Sequence, residues 1–592
     1  MRTRIPILAL SMLAVPACEE VELPHPPGFE PVVRAAKSPP LLGGTMLVTR
    51  DGRLAVISDP PRDSIHIVDL DRWEETATIE LDDGALPFRA AEDDDGLVHV
   101  SLRGTGTLAT VDPRAGRITR TTSVCPNPRG LAFDADADAL HVACAGGLFV
   151  TVPGDGGSPT QRFVAPDLRD VFVVDGRVYT TRFRAAEIYE VHEDGSSSLS
   201  GSPISLVTGR ASREPSTAWR TIPGRFGGWI MLHQQASTAT VPPFEEPAEG
   251  APGVDDGGYS GSDPCDGAVR PALSATFGDE AVRTSPVFTQ VALAVDVAAS
   301  PDGLHAVVAV PTQQGLPEES LRVSVFEVPL NSLRSEPEVR CEEPEPMPID
   351  DDVAAVAYQP DGAVLAWARD RPVLYRARPG KPTQRLTLSG ADATDTGFEL
   401  FHNDAGQGVA CASCHPEGGE DGRTWVFEDL GPRRTQPLNV GLEGTAPFHW
   451  KGDMEDIHMI ARQVRQNAMG GTEQSLERQE ALRDWMFSLR PPNPLRSSSD
   501  SSAAQGQQLF ESLGCARCHA GPSFTSPVST DLGHGPLQTP ALRGVAMRAP
   551  YMHDARARTL EEAVADMVAT TTDREPLGDA DVDLLVAYLE SL

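Results

Sequence analysis

Two short runs of one form, CASCH at 411–415 and CARCH at 515–519, decide the architecture of the C-terminal third of this 592-residue chain. In a Cys-x-x-Cys-His run, two thiols attach the vinyl groups of a porphyrin and the adjacent imidazole binds its iron. A zinc site would need a second Cys-x-x-Cys pair close by, and the sequence offers none. We therefore predict two covalently bound haem c groups, with His415 and His519 as the proximal iron ligands. The attaching thiols are those of Cys411, Cys414, Cys515 and Cys518.

The segment after residue 390 contains the same helical unit twice. Each copy has a first helix, the Cys-x-x-Cys-His run, a turn with an Ala-Pro-aromatic sequence and a terminal amphipathic helix. We predict two tandem cytochrome c-type domains at 390–490 and 506–592, joined by a polar Pro-rich linker at 491–505. The matched pairs are GFELF (397–401) with GQQLF (506–510), APFHW (446–450) with APYMH (549–553), and LRDWMFSL (482–489) with DLLVAYLESL (583–592).

Residues 43–385 consist of short β-branched runs separated by Asp-Gly and Pro-Asp-Gly turns, which indicates an all-β region. Equivalent strand positions recur at blade-like intervals, first by 43, 41 and 39 residues. These intervals predict a seven-bladed β-propeller with an insertion at about 236–285, and segment 43–57 is a candidate for the strand that closes the ring. A pair of β-sandwiches is the alternative. The aligned positions are Val68, Val111, Val152, Val191, Leu232, Val328 and Ala377.

The chain begins with an export signal, MRTRIPILALSMLAVPAC, in which two arginines precede a short apolar run. Residues 1–17 are therefore predicted to be a signal peptide. LAVPAC resembles a lipobox, so Cys18 is the candidate lipidation site, with export without lipid as the alternative. Residues 18–42 are Pro-rich and predict a tether. We expect a protein of the periplasm or cell envelope, held at a bacterial membrane only through this lipid.

The four remaining cysteines and the charge limit the possible partners. In an oxidising compartment, Cys125–Cys144 is a plausible disulfide and Cys265–Cys341 a weaker one, with free buried thiols as the alternative. The net charge is −35, which argues against nucleic acid and favours a basic partner such as a small cationic electron carrier. The scattered propeller histidines are interpreted as packing or rim residues.

The C-terminal third resembles the bacterial di-haem cytochrome c peroxidase / MauG family, and 43–385 resembles the YVTN/WD-type β-propellers. TPALRxVA, APYMHD and TLEEAV carry the resemblance in the second copy, and CASCHPEGGEDGRTW, GPRRTQPLN and APFHWKGD carry it in the first. It implies that Met567, 14 residues after His553, is the distal ligand of the second iron, with Met547 and Met552 as competing sulfurs. It also implies that Trp450 lies between the haems as an electron relay.

The first copy departs from the family at the distal side. Val464 stands at the position aligned with Met567, so the sixth ligand of the first iron stays open. Peroxidatic members carry a glutamate and a glutamine there, and Gln466 and Ile460 occupy these places, which leaves Gln466 as the candidate catalytic residue. The family's bridging calcium is disfavoured because its Thr-x-Pro turn reads Arg548-Ala549-Pro550. Alternative ligands nearby are His449, His458, Met454, Met459 and Met469, or the position holds water.

Two classes of function fit this sequence. The first is an exported di-haem electron-transfer protein with peroxidase-like activity, which reduces hydrogen peroxide with electrons from a small cytochrome or similar donor. The second is a non-enzymatic electron-transfer lipoprotein whose propeller is a docking module. A MauG-like oxidation of a protein or organic substrate is a further variant of the first.

Overall fold

The computed structural model describes residues 26–207, 212–242, 267–278, 280–289, 291–311, 324–338, 340–342, 344–406, 408–571 and 575–592. Within these ranges, seven sheets of four or five strands precede a helical region, which confirms the seven-bladed β-propeller and the helical C-terminal part. None of the helices in the described ranges is long and apolar enough to cross a membrane.

Each blade is an antiparallel meander of strands that follow one another in the chain. Blades 1 to 3 comprise Met46–Val48, Leu54–Asp59, Ser64–Asp69 and Glu74–Glu80; Pro87–Glu92, Val98–Leu102, Thr107–Asp112 and Arg117–Ser123; and Pro128–Asp134, Ala139–Cys144, Leu148–Pro153 and Thr160–Phe163. Blades 4 and 5 comprise Leu168–Val174, Arg177–Arg182, Ile188–Val191 and Ser197–Gly201; and Leu206–Val207, Ser212–Pro223, Trp229–Ser237, Val269–Ala275 and Arg283–Thr284. Blades 6 and 7 comprise Asp296–Ala299, His305–Ala309, Val325–Pro329 and Glu345–Met347; and Val353–Tyr358, Val364–Ala368, Val373–Ala377 and Gln384–Thr387. A parallel pair outside the blades joins Val287–Phe288 to Cys341–Glu342.

The ring closes by side-chain packing and not by an exchanged strand. Met46–Val48 pairs with Leu54–Asp59 in its own blade, so the expectation that 43–57 completes the last blade is wrong. Blade 7 already has four strands of its own, and its Trp367 packs against Ile57 and Val68 of blade 1 in one buried cluster. This circular arrangement excludes the β-sandwich alternative.

The strands of blade 5 show that the predicted insertion at 236–285 is wrong in part. Leu232 lies on Trp229–Ser237, next to the channel-lining strand Ser212–Pro223, and the following strand is Val269–Ala275. That strand falls inside the predicted insertion at 236–285, so part of this segment is a buried strand. The polar residues of this strand are buried and have hydrogen-bond partners; Ser274 Oγ, for example, lies 2.8 Å from His233 Nε2. Because both faces of the strand are buried, its sequence lacks the regular apolar–polar alternation that marks a half-exposed strand. Residues 243–266 of the insertion lie outside the described ranges.

Seven α-helices follow the propeller within the described ranges, and two short hairpins accompany them. The helix that begins domain 2 starts at Ser501, inside the predicted linker at 491–505, because the Asp500 carboxylate accepts hydrogen bonds from the Ser502 and Ala503 amides. The helices are α1 Thr396–His402, α2 Cys411–Cys414, α3 Ile457–Ile460, α4 Leu476–Ser488, α5 Ser501–Ser512, α6 Leu560–Thr571 and α7 Asp579–Leu589, with a π-helical segment Ala461–Ala468 after α3. The hairpins pair Thr424–Phe427 with Gly431–Arg434 and Ser526–Asp531 with Pro536–Thr539.

The described part of the predicted tether, residues 26–42, is packed against domain 1. The Thr396 amide donates to the Val33 carbonyl, and Trp485 Nε1 donates to the Ser38 carbonyl at 2.9 Å. Leu41 is fully buried. These contacts fix a segment that its Pro-rich sequence suggested would be unattached.

Domain 1 shares its hydrophobic core with the propeller, whereas domain 2 has a core of its own. One buried cluster joins Val307 of blade 6 and Val353 of blade 7 to Phe401 and Trp485 of domain 1. A separate cluster in domain 2 contains Phe510. The first predicted haem site is therefore built onto the propeller.

One predicted disulfide and the propeller histidines follow the sequence interpretation. Cys125 and Cys144 form a disulfide. Cys341 is also disulfide-bonded, while Cys265, its predicted partner, lies outside the described residues. The histidines serve packing, as where His99 lies 2.9 Å from Asp93 and 3.1 Å from Thr110.

Candidate haem sites

The first Cys-x-x-Cys-His run forms one helical turn that presents two thiols and an imidazole together. Cys411 and Cys414 are the ends of α2, and the His415 amide donates to the Cys411 carbonyl at 2.9 Å. His415 Nδ1 lies 3.1 Å from the Gly419 carbonyl oxygen, so Nδ1 carries the proton and Nε2 is left as the iron-binding atom. Burial lowers the pKa of His415, which favours the neutral, ligating form.

The second run has the same geometry. The His519 amide donates to the Cys515 carbonyl at 3.0 Å, and His519 Nδ1 lies 3.1 Å from the Phe524 carbonyl oxygen. Burial also lowers the pKa of His519. The four thiols of the two motifs take part in no disulfide. Paired thiols beside a histidine that presents Nε2 fit a covalently bound haem at each motif.

The two domains repeat each other in three dimensions. Gly397 on α1 lies against Ala481 and Trp485 of α4, and Gly506 on α5 lies in the same way against Leu584 and Tyr588 of α7. In each pair the missing side chain lets one helix backbone meet the other closely. The Ala-Pro-aromatic turns also match, with Phe448 bridged to Met454 and Tyr551 bridged to Ala557.

Blade 5 of the propeller forms part of the surroundings of the first motif. Cys414 packs against a cluster formed by Val269 and Ala236 of blade 5 and Trp425 of domain 1. Ser413 Oγ donates to the Ala292 carbonyl at 2.9 Å. A haem attached at this motif would thus border the propeller as well as domain 1.

Met567 lies on α6, and its role as the distal ligand stays a prediction. The Met567 side chain is half buried. Of the residues described in domain 2, its neighbours Val564 and Val568 belong to the hydrophobic cluster, whereas Met567 does not. The competing sulfurs are engaged elsewhere, because Met552 packs into that cluster and Met547 Sδ is 3.8 Å from Asn127 Nδ2 of the propeller.

The equivalent position in domain 1 has no ligand atom. Val464 is a hydrocarbon side chain, and it packs in one cluster with Cys411 and Met469. Gln466 lies on the π-helical segment and is half buried, so its amide is close in sequence to this cluster but is not a member of it. The two predicted irons therefore have unequal distal surroundings.

Three other candidate ligands of the first iron have polar partners, and two methionines are buried in hydrophobic clusters. His449 pairs with Asp453 at 3.3 Å, and His458 Nδ1 lies 3.3 Å from Gln479 Oε1. Met459 Sδ accepts from the Glu455 amide at 3.3 Å, and Met454 is buried in the core shared with the propeller. Met469, beside Cys411, is buried.

Trp450 lies where the two helical domains meet. Its Nε1 donates to the Arg434 carbonyl at 2.6 Å, and its ring is 6.2 Å from the His553 ring of domain 2 in an edge-on arrangement. The Gln538 amide of domain 2 donates to the Trp450 carbonyl at 2.7 Å. Trp450 is thus fixed by domain 1 and touches domain 2 through both backbone and ring.

Residues at the expected calcium position do not fit a divalent cation. The Arg548 guanidinium donates to the carbonyls of Ala541 and Gly544 at 3.2 Å, so carbonyl oxygens that could bind a metal already face a cation. Arg184 of the propeller and Arg434 add two further positive charges. Both pair with the carboxylate of Glu420, and Arg184 also pairs with Asp167. Burial lowers the pKa of Arg548 to about 10, which leaves it charged near neutrality.

Together, the fold and the site define a β-propeller followed by a helical region that contains a cytochrome c domain. The family model described as Cytochrome c matches residues 503–592. The chain is 25% identical over 309 residues to the cytochrome c peroxidase Ccp of Escherichia coli, which covers 39% of this chain and 66% of that protein. It is 24% identical over 301 residues to the cytochrome c551 peroxidase of Nitrosomonas europaea, which covers 39% of this chain and 88% of that protein.

Solved structures with a similar outline include hydrazine synthase of Kuenenia stuttgartiensis, at 13% identity and a TM-score of 0.41 over 60% of this chain and 97% of that one. The dihydro-heme d1 dehydrogenase NirN matches at 17% identity and a TM-score of 0.36, over 59% of this chain and 68% of that one. The resemblance of the C-terminal third to the di-haem cytochrome c peroxidases is confirmed by the curated relatives. The cytochrome c domain implies covalently bound haem c in a protein of electron transfer.

Proposed function

We propose that the protein is an exported di-haem cytochrome that reduces hydrogen peroxide. Electrons from a small basic cytochrome or similar donor enter at the His519/Met567 site and pass to the His415 site by way of Trp450. The observation that carries the proposal is the pair of matching Cys-x-x-Cys-His turns whose domains meet at Trp450. The haem groups supply the one-electron chemistry, and the net reaction takes two electrons and two protons per peroxide and releases two water molecules.

The unequal distal surroundings support different roles for the two haem sites, one in electron exchange and one in peroxide binding. A Met567 thioether bound to the second iron would close that site, which suits a carrier that only exchanges electrons. Val464 offers no ligand atom at the first site, which suits access by a small molecule. Gln466 is the side chain available to hydrogen-bond peroxide there.

The contacts of Trp450 between the two helical domains support its role as an electron relay. Its ring contacts His553 across the domain boundary, and its indole N–H is fixed by the Arg434 carbonyl, so the ring cannot turn away without losing a hydrogen bond. A fixed aromatic ring between two redox sites shortens the distance that each electron step must cover.

The alternative is a non-enzymatic electron carrier anchored by lipid at Cys18. The observation that favours it is Ile460 at a place where peroxidatic relatives carry an acid–base residue, which leaves Gln466 without a partner carboxylate. A MauG-like oxidation of a protein or organic substrate uses the same two sites. Export and the lipid belong to the proposal as well, since Cys18 lies outside the described residues.

The test uses the haem-loaded protein. Two tetrapyrroles by mass and a high-spin ferric signal in the half-reduced state are expected, together with peroxide-dependent oxidation of a reduced small cytochrome. Peroxide turnover no faster than that of free haem would refute the peroxidase function in favour of the carrier. For the ligand, Met567→Ala should lower the second potential and make that iron high-spin, while Met547→Ala, the matched control, should leave both unchanged.

A further inference from the structure

Glu417, two residues after the first proximal histidine, reaches into the propeller. Its backbone has φ of 54°, and its side chain is buried. The carboxylate forms an ion pair with Arg169 and accepts a hydrogen bond from Arg103 Nη2 at 2.8 Å. One carboxylate of domain 1 thus neutralises two arginines of the propeller.

Both arginines belong to the mouth of the propeller channel. Arg169 is on Leu168–Val174, the channel-lining strand of blade 4, and is fully buried. Its guanidinium lies 4.2 Å from the Phe183 ring centroid and 5.0 Å from that of Phe88, and its Nε is 3.3 Å from the Trp219 carbonyl oxygen. Stacking between two rings fixes this side chain independently of Glu417.

The other carboxylates of the channel are already committed. Asp170 pairs with Arg89 and Arg220 at 3.0 and 3.1 Å, and Asp167 pairs with Arg129 and Arg184. Among the described residues, Glu417 is the carboxylate that forms ion pairs with Arg103 and Arg169. An unpaired buried charge is strongly destabilising, so the Glu417 contact is held firmly.

The turn that carries Glu417 also holds the proximal imidazole. The Gly418 amide donates to the His415 carbonyl at 3.0 Å, and the Gly419 amide donates to the Pro416 carbonyl at 2.9 Å. These bonds make residues 415–419 one compact unit with Glu417 at its tip. The Gly419 carbonyl of the same unit accepts the His415 Nδ1 proton.

We propose that the propeller is the proximal anchor of the first haem: Arg169 and Arg103 hold Glu417, and Glu417 thereby holds the Gly419 carbonyl against His415 Nδ1. Glu417 is a positioning residue. A firm acceptor at Nδ1 raises the electron density that the imidazole gives to iron and lowers the reduction potential. The inference deepens the proposed function, because it requires a haem at His415.

The test is Glu417→Gln, which keeps the size of the side chain and removes the charge. In a redox titration of the haem-loaded protein, the potential of the His415 haem should rise and that of the His519 haem should stay as in the wild type. The iron–histidine stretching band of the reduced first haem should move to lower frequency. Glu428→Gln, an exposed carboxylate of the same domain, is the matched control and should change neither reading.

A second variant covers the case in which Glu417→Gln does not fold. Arg103→Gln removes only the more exposed of the two partners, so a smaller shift in the same direction is expected. An unchanged potential and band in a folded variant of either kind would overturn the anchor. A wild-type protein that turns over peroxide no faster than free haem, with the Glu417→Gln shift intact, would refute the proposed peroxidase alone. A wild-type protein without haem at His415 would refute both proposals.

Discussion

Replacement of Gly506 by alanine tests whether the crossing of α5 and α7 supports the second haem domain. A Cβ at this position would lie 1.9 Å from the Leu584 carbonyl oxygen and 2.9 Å from Tyr588 Cβ. Ordinary contact begins at 3.4 Å, so the helices would have to separate by about 1.5 Å. Both obstacles belong to the partner helix, and one is backbone, which cannot rotate away.

Two effects of opposite sign decide the magnitude. Alanine is the better helix former, which favours the variant by about 1 kcal/mol. Overpacking of a buried contact costs about 1–3 kcal/mol, and the clash here places it at the upper end. Separation of the helices also disturbs the contact of Phe510 with Tyr588, whose ring centroids are 5.2 Å apart. We expect a net loss of about 2 kcal/mol.

Urea unfolding of the haem-loaded protein, followed by the absorption of the second haem, measures this loss. The exposed Gln508→Ala on the same helix is the control and should change stability by less than about 0.5 kcal/mol. Gly397→Ala repeats the experiment in domain 1, where the Cβ would lie 2.2 Å from the Ala481 carbonyl oxygen. A Gly506→Ala protein as stable as the wild type would refute the close crossing.

Three further outcomes are expected. Trp450→Phe removes the 2.6 Å indole hydrogen bond and should slow electron transfer between the haems in stopped-flow mixing, with both potentials unchanged; an unaltered rate would exclude the relay. Burial lowers the pKa of His402 from 6.5 to about 3, so the unfolded chain takes up the proton at a higher pH than the folded protein does. The free energy of unfolding should therefore fall as the pH drops below about 6.5, by at most about 1.4 kcal/mol per pH unit. In denaturant titrations, His402→Leu should reduce the dependence of the unfolding free energy on pH. A dependence as steep as that of the wild type would show that His402 is not its cause. Removal of the Cys125–Cys144 disulfide, which spans 19 positions, should cost about 3 kcal/mol of unfolding free energy, and no loss would contradict the loop-entropy account.

Local and repeated features could be predicted from the sequence. The Cys-x-x-Cys-His runs need only five consecutive residues, and the structure forms them as helical turns with His415 and His519 held alike. Gly397 and Gly506 stood in matching GxxLF-like runs, and both lie at helix crossings. The first four blades followed the regular spacing because each is a compact local meander.

Features that depend on distant partners could not be predicted. Strand Val269–Ala275 follows a long segment that interrupts the spacing, and its buried Arg270 breaks the apolar pattern. Glu417 and Arg169 are 248 positions apart, so no local pattern links them. The packed course of residues 26–42 also depends on α1 and α4, which come more than 350 positions later.

The packing of blade 5 residues against Cys414 has a consequence for the order in which haem attachment and folding occur. Thioether formation needs a reactive, accessible thiol, and burial raises the pKa of Cys414 well above its usual range. Once domain 1 is seated on the propeller, that sulfur faces Val269 and Trp425. We therefore expect haem attachment at Cys414 to precede the docking of domain 1 on the propeller, which then covers the attached group.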